Sequence, residues 1–381
     1  MIYFDNSATS NPKPGKTIEN MVNVLEHVSV NPGRAGHRFS IEGSRILFEA
    51  RETINKFVNG ENLNNIAFTS GGTEGLNTAL FGMLNCGDHL ITTNAEHNSV
   101  YRPISHLNKL GVNHDIAKCE EDGYTSVKNI YQLIKKNTKG VVVNHISNLT
   151  GIIQPLNEII KACQENGLFL IVDGSQSCGF YDYDLKREAI DVLVATGHKS
   201  LLGPQGTGFM YIRDSTKVRP LKYGGTGSES ESIFQPEIIP DKYESGTQNL
   251  PGISGLVGGI SFIEEETLGK IVSHKNRLRE HFVEEVRRIS GIKIYGDLTN
   301  HNYAPVVAIN IGAIGSSEIS FMLDYDYNIM TRAGLHCAPL LHERMGTTKQ
   351  GAVRFSFGYN NTHKEIEFGV DALKKITKSL I

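Results

Sequence analysis

The stretch VATGHKSLLGPQGTGFMYI, Val194 to Ile212, sets an amine where an apolar run ends. Lys199 follows the run DVLVAT and precedes a glycine-rich turn. An ammonium beside an apolar core is costly unless something uses it. Desolvation makes such an amine less basic and more nucleophilic toward carbonyls. Asp173 ends a second apolar run, LFLIVD, and Gln176 follows it closely. A carboxylate in that position needs a cation or hydrogen-bond donors to stay ionised. Thr69 closes the run IAFT, and Gly71 and Gly72 lead into a helix that starts near Thr73. Backbone N–H groups at a glycine-rich helix start bind anions. The pattern is neither GxGxxG nor a P-loop, so a nucleotide is not the first choice. His97 follows the run HLITT, and Asn148 follows VVVNHIS.

Each feature alone has a plainer reading. Thr73 and Asp173 can cap helices, Asn148 can shape a turn, and Lys199 can reach past its turn to water. Taken together, they place a phosphate nest, a stacking histidine, a carboxylate and a lysine on one sheet edge. Pyridoxal phosphate needs that set. Its aldehyde condenses with a lysine, its ring nitrogen keeps a proton beside an acid, its phosphate needs an anion site, and its ring needs a stacking face. The glycines after Lys199 let the backbone turn beside a bulky ring.

The elements that must position these residues alternate. From about Asn65 to Ile212, β-rich runs (IAFTS, HLITT, VVVNHIS, LFLIVDGS, DVLVAT, GFMYI) are separated, in the earlier part, by helix-period segments. That alternation predicts a mostly parallel sheet covered on both faces, with ligands beyond the carboxyl ends of its strands. DVLVAT and GFMYI are joined by a short Gly/Pro turn, which predicts an antiparallel pair. A helical pattern runs from Gly252 to about Ile289, and the remainder mixes strands with two helices. The expected fold is α/β: a large domain over 15–255, and a smaller α+β domain built from 1–14 and 256–381.

Composition narrows the function. The chain has 381 residues, of which 39% are hydrophobic and 21% charged, with a net charge of -3. This is ordinary globular composition and argues against a nucleic-acid binder. No secretory signal or membrane-length apolar run is visible. The five cysteines are unclustered and odd in number, with no CxxC or HExxH to suggest a metal. A cytoplasmic protein without nucleic-acid or membrane partners is expected.

The motifs YFDNSATSNPKP, GRAGHRFS, TSGGTEGLN, AEHNS, SNLTG, VDGSQS, TGHKSLLGPQGTG, ESGTQN, TRAGLHCAPL and VRFSFGYNNT follow one another along nearly the whole chain. In that order the chain resembles the class V aminotransferases, and among them the cysteine desulfurase and selenocysteine lyase group. The resemblance implies pyridoxal-phosphate fold type I and a homodimer with sites at the subunit interface. It implies that Lys199 carries the cofactor, Asp173 pairs with its ring nitrogen, and His97 stacks on the ring and moves protons. Gln176 and Asn148 would bond the ring hydroxyl or the substrate. Gly72, Thr73, Thr196 and His198 would hold the phosphate, and Thr247 would reach the phosphate of the neighbouring subunit. Arg354 would clamp the substrate carboxylate, a task suited to a bidentate guanidinium.

What separates desulfuration from other reactions of the cofactor is a second nucleophile. Cys337, with Arg332 and His336 nearby, is the candidate, since neighbouring cations favour a thiolate. Cys178, close to Asp173, is the rival; Cys86, Cys119 and Cys163 read as structural. The implied reaction converts L-cysteine to L-alanine and leaves a persulfide on Cys337 for a sulfur-accepting protein or small thiol. The alternatives are a selenocysteine lyase, a lyase or aminotransferase acting on another amino acid, and a non-catalytic sulfur-relay scaffold. The short segment between TRAG and the cysteine resembles the short-loop (SufS-like) group, but Leu335 stands where a second histidine is common. That departure leaves substrate and acceptor open.

Overall fold

The computed structural model describes residues 1–33, 36–296 and 302–380. Arg34 and Ala35 of the GRAGHRFS motif lie outside the described residues. A short strand β1 (Ile2–Tyr3) leads to helices α1 (Gly15–His27) and α2 (Arg38–Phe57). The alternating region follows: β2 (Ile66–Thr69), α3 (Gly72–Met83), β3 (His89–Thr93), α4 (Asn98–Lys109), β4 (Asn113–Ala117), α5 (Val127–Tyr131), β5 (Thr138–Asn144), α6 (Leu156–Glu165), β6 (Phe169–Asp173), β7 (Val192–Thr196) and β8 (Gly208–Ile212). Its strands form one sheet in the order β2-β8-β7-β6-β5-β3-β4. Only β8 runs against the rest, pairing antiparallel with both β2 and β7.

The near-continuous apolar strands follow from burial on two faces. In β5, Val141 and Val143 pack with Ile54, Ile159 and Leu256 from α2, α6 and the helix after β8. Val142, between them, packs on the other face with Leu76, Leu80 and Ile104 from α3 and α4. β4 was not expected. It is a sheet edge, NHDIA, with only Ala117 buried, so it lacks the apolar run of its neighbours.

Two helices, α7 (Leu250–Glu266) and α8 (Leu268–Val286), replace the single helical pattern expected from Gly252 to Ile289. Thr267 between them has φ 66°, a left-handed conformation that stops helix propagation. Three consecutive glutamates in the last turn of α7 oppose its C-terminal dipole and favour the break there. The remaining elements are β9 (Ile292–Tyr295), β10 (Val306–Ile311), α9 (Ser316–Tyr327), β11 (Ile329–Met330), β12 (Arg332–Gly334), α10 (Pro339–Arg344), β13 (Ala352–Ser356) and α11 (His363–Leu380). They form an antiparallel sheet, β12-β13-β10-β9, and a parallel pair, β1-β11. Their core joins Phe4 from the N-terminus to Leu278, Phe282, Phe355 and Leu373. Ile260, in the second half of α7, packs in the core of the large sheet. The expected boundary after residue 255 falls inside α7, so we propose the division between the two units at Thr267. Among the described residues no helix is long and apolar enough to cross a membrane.

One buried ion pair anchors the loop that leads to α7. Arg51 donates to Glu244 through Nη1 at 3.0 Å and Nη2 at 2.6 Å, and Glu244 also accepts the Phe68 N–H at 2.7 Å. Arg51→Ala leaves that carboxylate buried without its cation, so urea unfolding should show a loss of about 3–5 kcal/mol. Burial pushes Glu244 up to about 7 even with Arg51 opposing the shift. A raised folded-state value disfavours the ionised form, so the deficit should grow as pH rises through neutrality and shrink in acid.

Candidate active site

The ends of β2, β3, β5, β6 and β7 converge on a cavity of about 320 Å³. Ten of the twelve residues singled out above line it: Gly72 and Thr73, His97, Asn148, Asp173 and Gln176, Thr196, His198 and Lys199, and Arg354. Thr247 and Cys337 do not. Thr247 is exposed on the loop before α7, and Cys337 is half-buried in the turn after β12.

Hydrogen bonds wire the nest to the acid. The Gly72 N–H, at the start of α3, donates to Thr196 Oγ1 at 3.1 Å. Thr196 Oγ1 donates in turn to Ser175 Oγ at 3.1 Å, and the Ser175 N–H donates to Asp173 Oδ1 at 2.9 Å. A Cβ on Gly72 would lie 2.6 Å from both hydroxyls, so only glycine fits there. Thr73 and Glu74 supply the next N–H groups of that helix end.

His97 caps α4, its Nδ1 accepting the Ser99 N–H at 3.0 Å. That bond leaves the ring proton on Nε2. Burial pulls His97 down to about 4, with Asp173 opposing and Lys199 reinforcing, so the ring is neutral at pH 7. Burial also pulls His198 down to about 4. Lys199 is lowered to about 8 by desolvation, against the pull of Asp173. About a tenth of the amine is therefore free at pH 7, far more than for an ordinary lysine.

The N-terminal arm holds the lysine's backbone. The His198 carbonyl accepts the Ser10 N–H at 3.0 Å, Thr9 Oγ1 at 3.1 Å and Lys13 Nζ at 2.8 Å. Gln176 Nε2 donates to the Ser7 carbonyl at 3.0 Å. Arg354 Nη2 donates to Asp5 Oδ1 at 2.5 Å, and its Nη1 donates to the Asn148 carbonyl at 2.9 Å. Asn148 Nδ2 donates to the His336 carbonyl at 2.7 Å, which ties the cavity wall to the Cys337 turn.

Two expectations about the cysteines need restating. His336 does not supply a cation. It is buried, stacks on His342, and is held well below the usual histidine range by desolvation. The cation beside the turn is Arg332, on the cavity wall, which also acts on Lys199. Cys178, the rival nucleophile, is 1% exposed, and burial reinforced by Asp173 keeps its thiol protonated. Sequence reasoning did not assign site roles to Ser175, Asp5 or Lys13. Ser175 lies within the VDGSQS motif; Asp5 and Lys13 lie in YFDNSATSNPKP, far from their partners in sequence.

The chain matches the family model described as aminotransferase class-V over residues 2–368. It is 33% identical to a probable cysteine desulfurase of Borreliella burgdorferi, over all of this chain and 92% of the relative. It is also 33% identical to a probable cysteine desulfurase of Pyrococcus abyssi, over all of this chain and 95% of that protein. A solved apo structure of a cysteine desulfurase from Thermococcus onnurineus superposes with a TM-score of 0.93 at 30% identity, covering all of this chain and 95% of that one. The converging strand ends, the mostly parallel sheet and these matches along the full length agree: the chain belongs to the class-V aminotransferase family.

Proposed function

We propose that the protein is a pyridoxal-phosphate-dependent cysteine desulfurase. The observation that carries the reading is the convergence of Lys199, Asp173, the α3 nest and Arg354 on one cavity. The cavity also has the unmet bonding capacity that a polar cofactor and substrate would use. Asn148 Oδ1, His198 Nδ1 and Arg354 Nε are buried without hydrogen-bond partners, and such groups are costly unless a ligand pairs with them. When bound, the cofactor supplies an electron sink for bond-breaking at the substrate Cα.

The chain's own residues do the rest. Thr73, Thr196 and His198 would hold the phosphate, with the Gly72 N–H fixing Thr196. Asp173, oriented by the Ser175 N–H, holds the proton of the ring nitrogen. His97, with its proton on Nε2, would stack on the ring. Gln176 and Asn148 would bond the ring hydroxyl or the substrate. Lys199 would hold the cofactor's aldehyde, and its amine is placed to move the substrate's Cα proton. Arg354 orients the substrate carboxylate. Cys337 Sγ attacks the substrate sulfur: the substrate C–S bond breaks, an S–S bond forms, and Cβ takes up a proton. L-cysteine and one thiol become L-alanine and one persulfide, with no external oxidant or reductant.

The persulfide passes to an acceptor protein or small thiol. In a homodimer, Thr247 would reach the phosphate bound by the partner subunit. Exposed apolar side chains, Phe39 and Phe48 on α2 with Ile233 and Phe234 on the preceding loop of α7, support such an interface. The test is alanine and sulfide formation by the cofactor-loaded protein from L-cysteine, compared with L-selenocysteine and other amino acids. With a dithiol present to reduce the persulfide, so that the dithiol becomes a disulfide as the outer sulfur leaves as sulfide, alanine and sulfide in equal amounts from L-cysteine are expected. Transamination of another amino acid without sulfide would overturn the reading.

A further inference from the structure

The substrate end of the cavity carries an unusual set of charges. Arg332 on β12 and Arg354 on β13 are direct cross-strand partners, and both line the cavity. Side chains at paired positions share one face of a sheet, and like charges so placed repel. Two adjacent guanidiniums make a natural site for a dianion. A third charge intervenes. Asp5, on the N-terminal arm, bridges to Ser356 of β13 and accepts from Arg354 Nη2 at 2.5 Å. Arg354 is 1% exposed, so the pair lies in a weakly screened setting. Arg332 has no carboxylate partner among the described residues.

The other charges on the wall are matched. Glu74 pairs with Lys222 at 2.6 Å, and Asp173 offsets Lys199. His97 and His198 are neutral near pH 7. The substrate end is therefore left with one uncompensated positive charge.

We propose that Asp5 sets the charge selectivity of the substrate subsite: by offsetting one arginine of the Arg332–Arg354 pair, it matches the pocket to amino acids with a single carboxylate and disfavours dicarboxylates. This rests on the reading of Arg354 as the carboxylate clamp. L-cysteine and L-selenocysteine each bring one carboxylate. A dicarboxylic amino acid would bring a second negative charge that the pocket, with Arg354 already offset by Asp5, does not match. Asp5 is thus a specificity residue acting through Arg354. Asparagine at the same position keeps an oxygen acceptor for Nη2 and removes only the charge.

The probes are mercaptopropionate, with one carboxylate, and mercaptosuccinate, with two. Neither has an amine, so neither forms an imine with the cofactor; they share a thiol and one carboxylate, so the difference between them reports on the second carboxylate. Titration calorimetry on the cofactor-loaded protein should show mercaptopropionate binding about tenfold more tightly than mercaptosuccinate, as a poorly screened like charge requires. Asp5→Asn should bring the two within about threefold or reverse their order, since one Coulomb contact has been removed. An unchanged preference in Asp5→Asn overturns the proposal. So does equal binding of both probes by the unaltered protein, a result that needs no variant to fold. L-cysteine turnover separates this proposal from the reading beneath it. A preserved preference without sulfide release overturns the desulfurase and leaves the charge selectivity standing; sulfide release with equal binding does the opposite.

Discussion

Lys199→Ala is expected to lower turnover by at least about 10³-fold, because it removes both the covalent anchor and the base at the substrate Cα. The cofactor should still enter the variant. Thr73 at the α3 terminus, Thr196 and Asp173 are untouched, and the hydrogen bonds from Gly72 through Ser175 to Asp173 do not involve the lysine. What should vanish is the borohydride-reducible link: after reduction and denaturation, the variant should release all its cofactor while the unaltered protein retains it. The backbone should not move, since the N-terminal arm grips the His198 carbonyl rather than the Lys199 side chain. A reducible adduct that survives in Lys199→Ala would remove Lys199 from the chemistry and, with it, the reading of the cavity.

The strand ends that meet at the cavity were legible because a strand buried on both faces must be apolar until it reaches its ligand. A polar residue closing such a run therefore announces itself, as Asp173 and Lys199 do. The same logic fails at β4, an edge strand with only Ala117 fully buried, which carries no apolar run. It fails also for contacts made by distant segments. Asp5 meets Arg354 across 349 residues of chain, and Lys13 meets His198 across 185; no local pattern encodes either. The Arg332–Arg354 pairing needs the antiparallel register of β12 and β13, which depends on the small sheet as a whole. His336 shows a different limit. Its type suggested a cation beside Cys337, but its charge depends on burial, and its burial comes from packing against His342 and the Arg332 carbonyl.

Cys337→Ala should bind the cofactor as the unaltered protein does yet lose sulfide release by about 10³-fold, since the substrate sulfur then has no attacking thiolate. The turn is built to tolerate the change. His336 and Cys337 adopt φ of 50° and 54°, a left-handed conformation that costs non-glycine residues energy. Two donors outside the turn hold it: the Asn98 N–H bonds the Cys337 carbonyl at 2.8 Å, and Asn148 Nδ2 bonds the His336 carbonyl at 2.7 Å. Alanine keeps both bonds, so the loss should reflect the missing sulfur rather than a displaced loop. No other cysteine is placed to substitute. Burial pushes Cys119 and Cys163 up to about 12 and keeps Cys178 protonated as well. Cys86 is exposed, but it sits between α3 and β3, at the amino end of the strands, while the cavity opens at their carboxyl ends. Cys178→Ala should accordingly keep activity where Cys337→Ala loses it. If Cys337→Ala releases alanine and sulfide at the unaltered rate, sulfur leaves by a route that bypasses this turn, and the persulfide step falls.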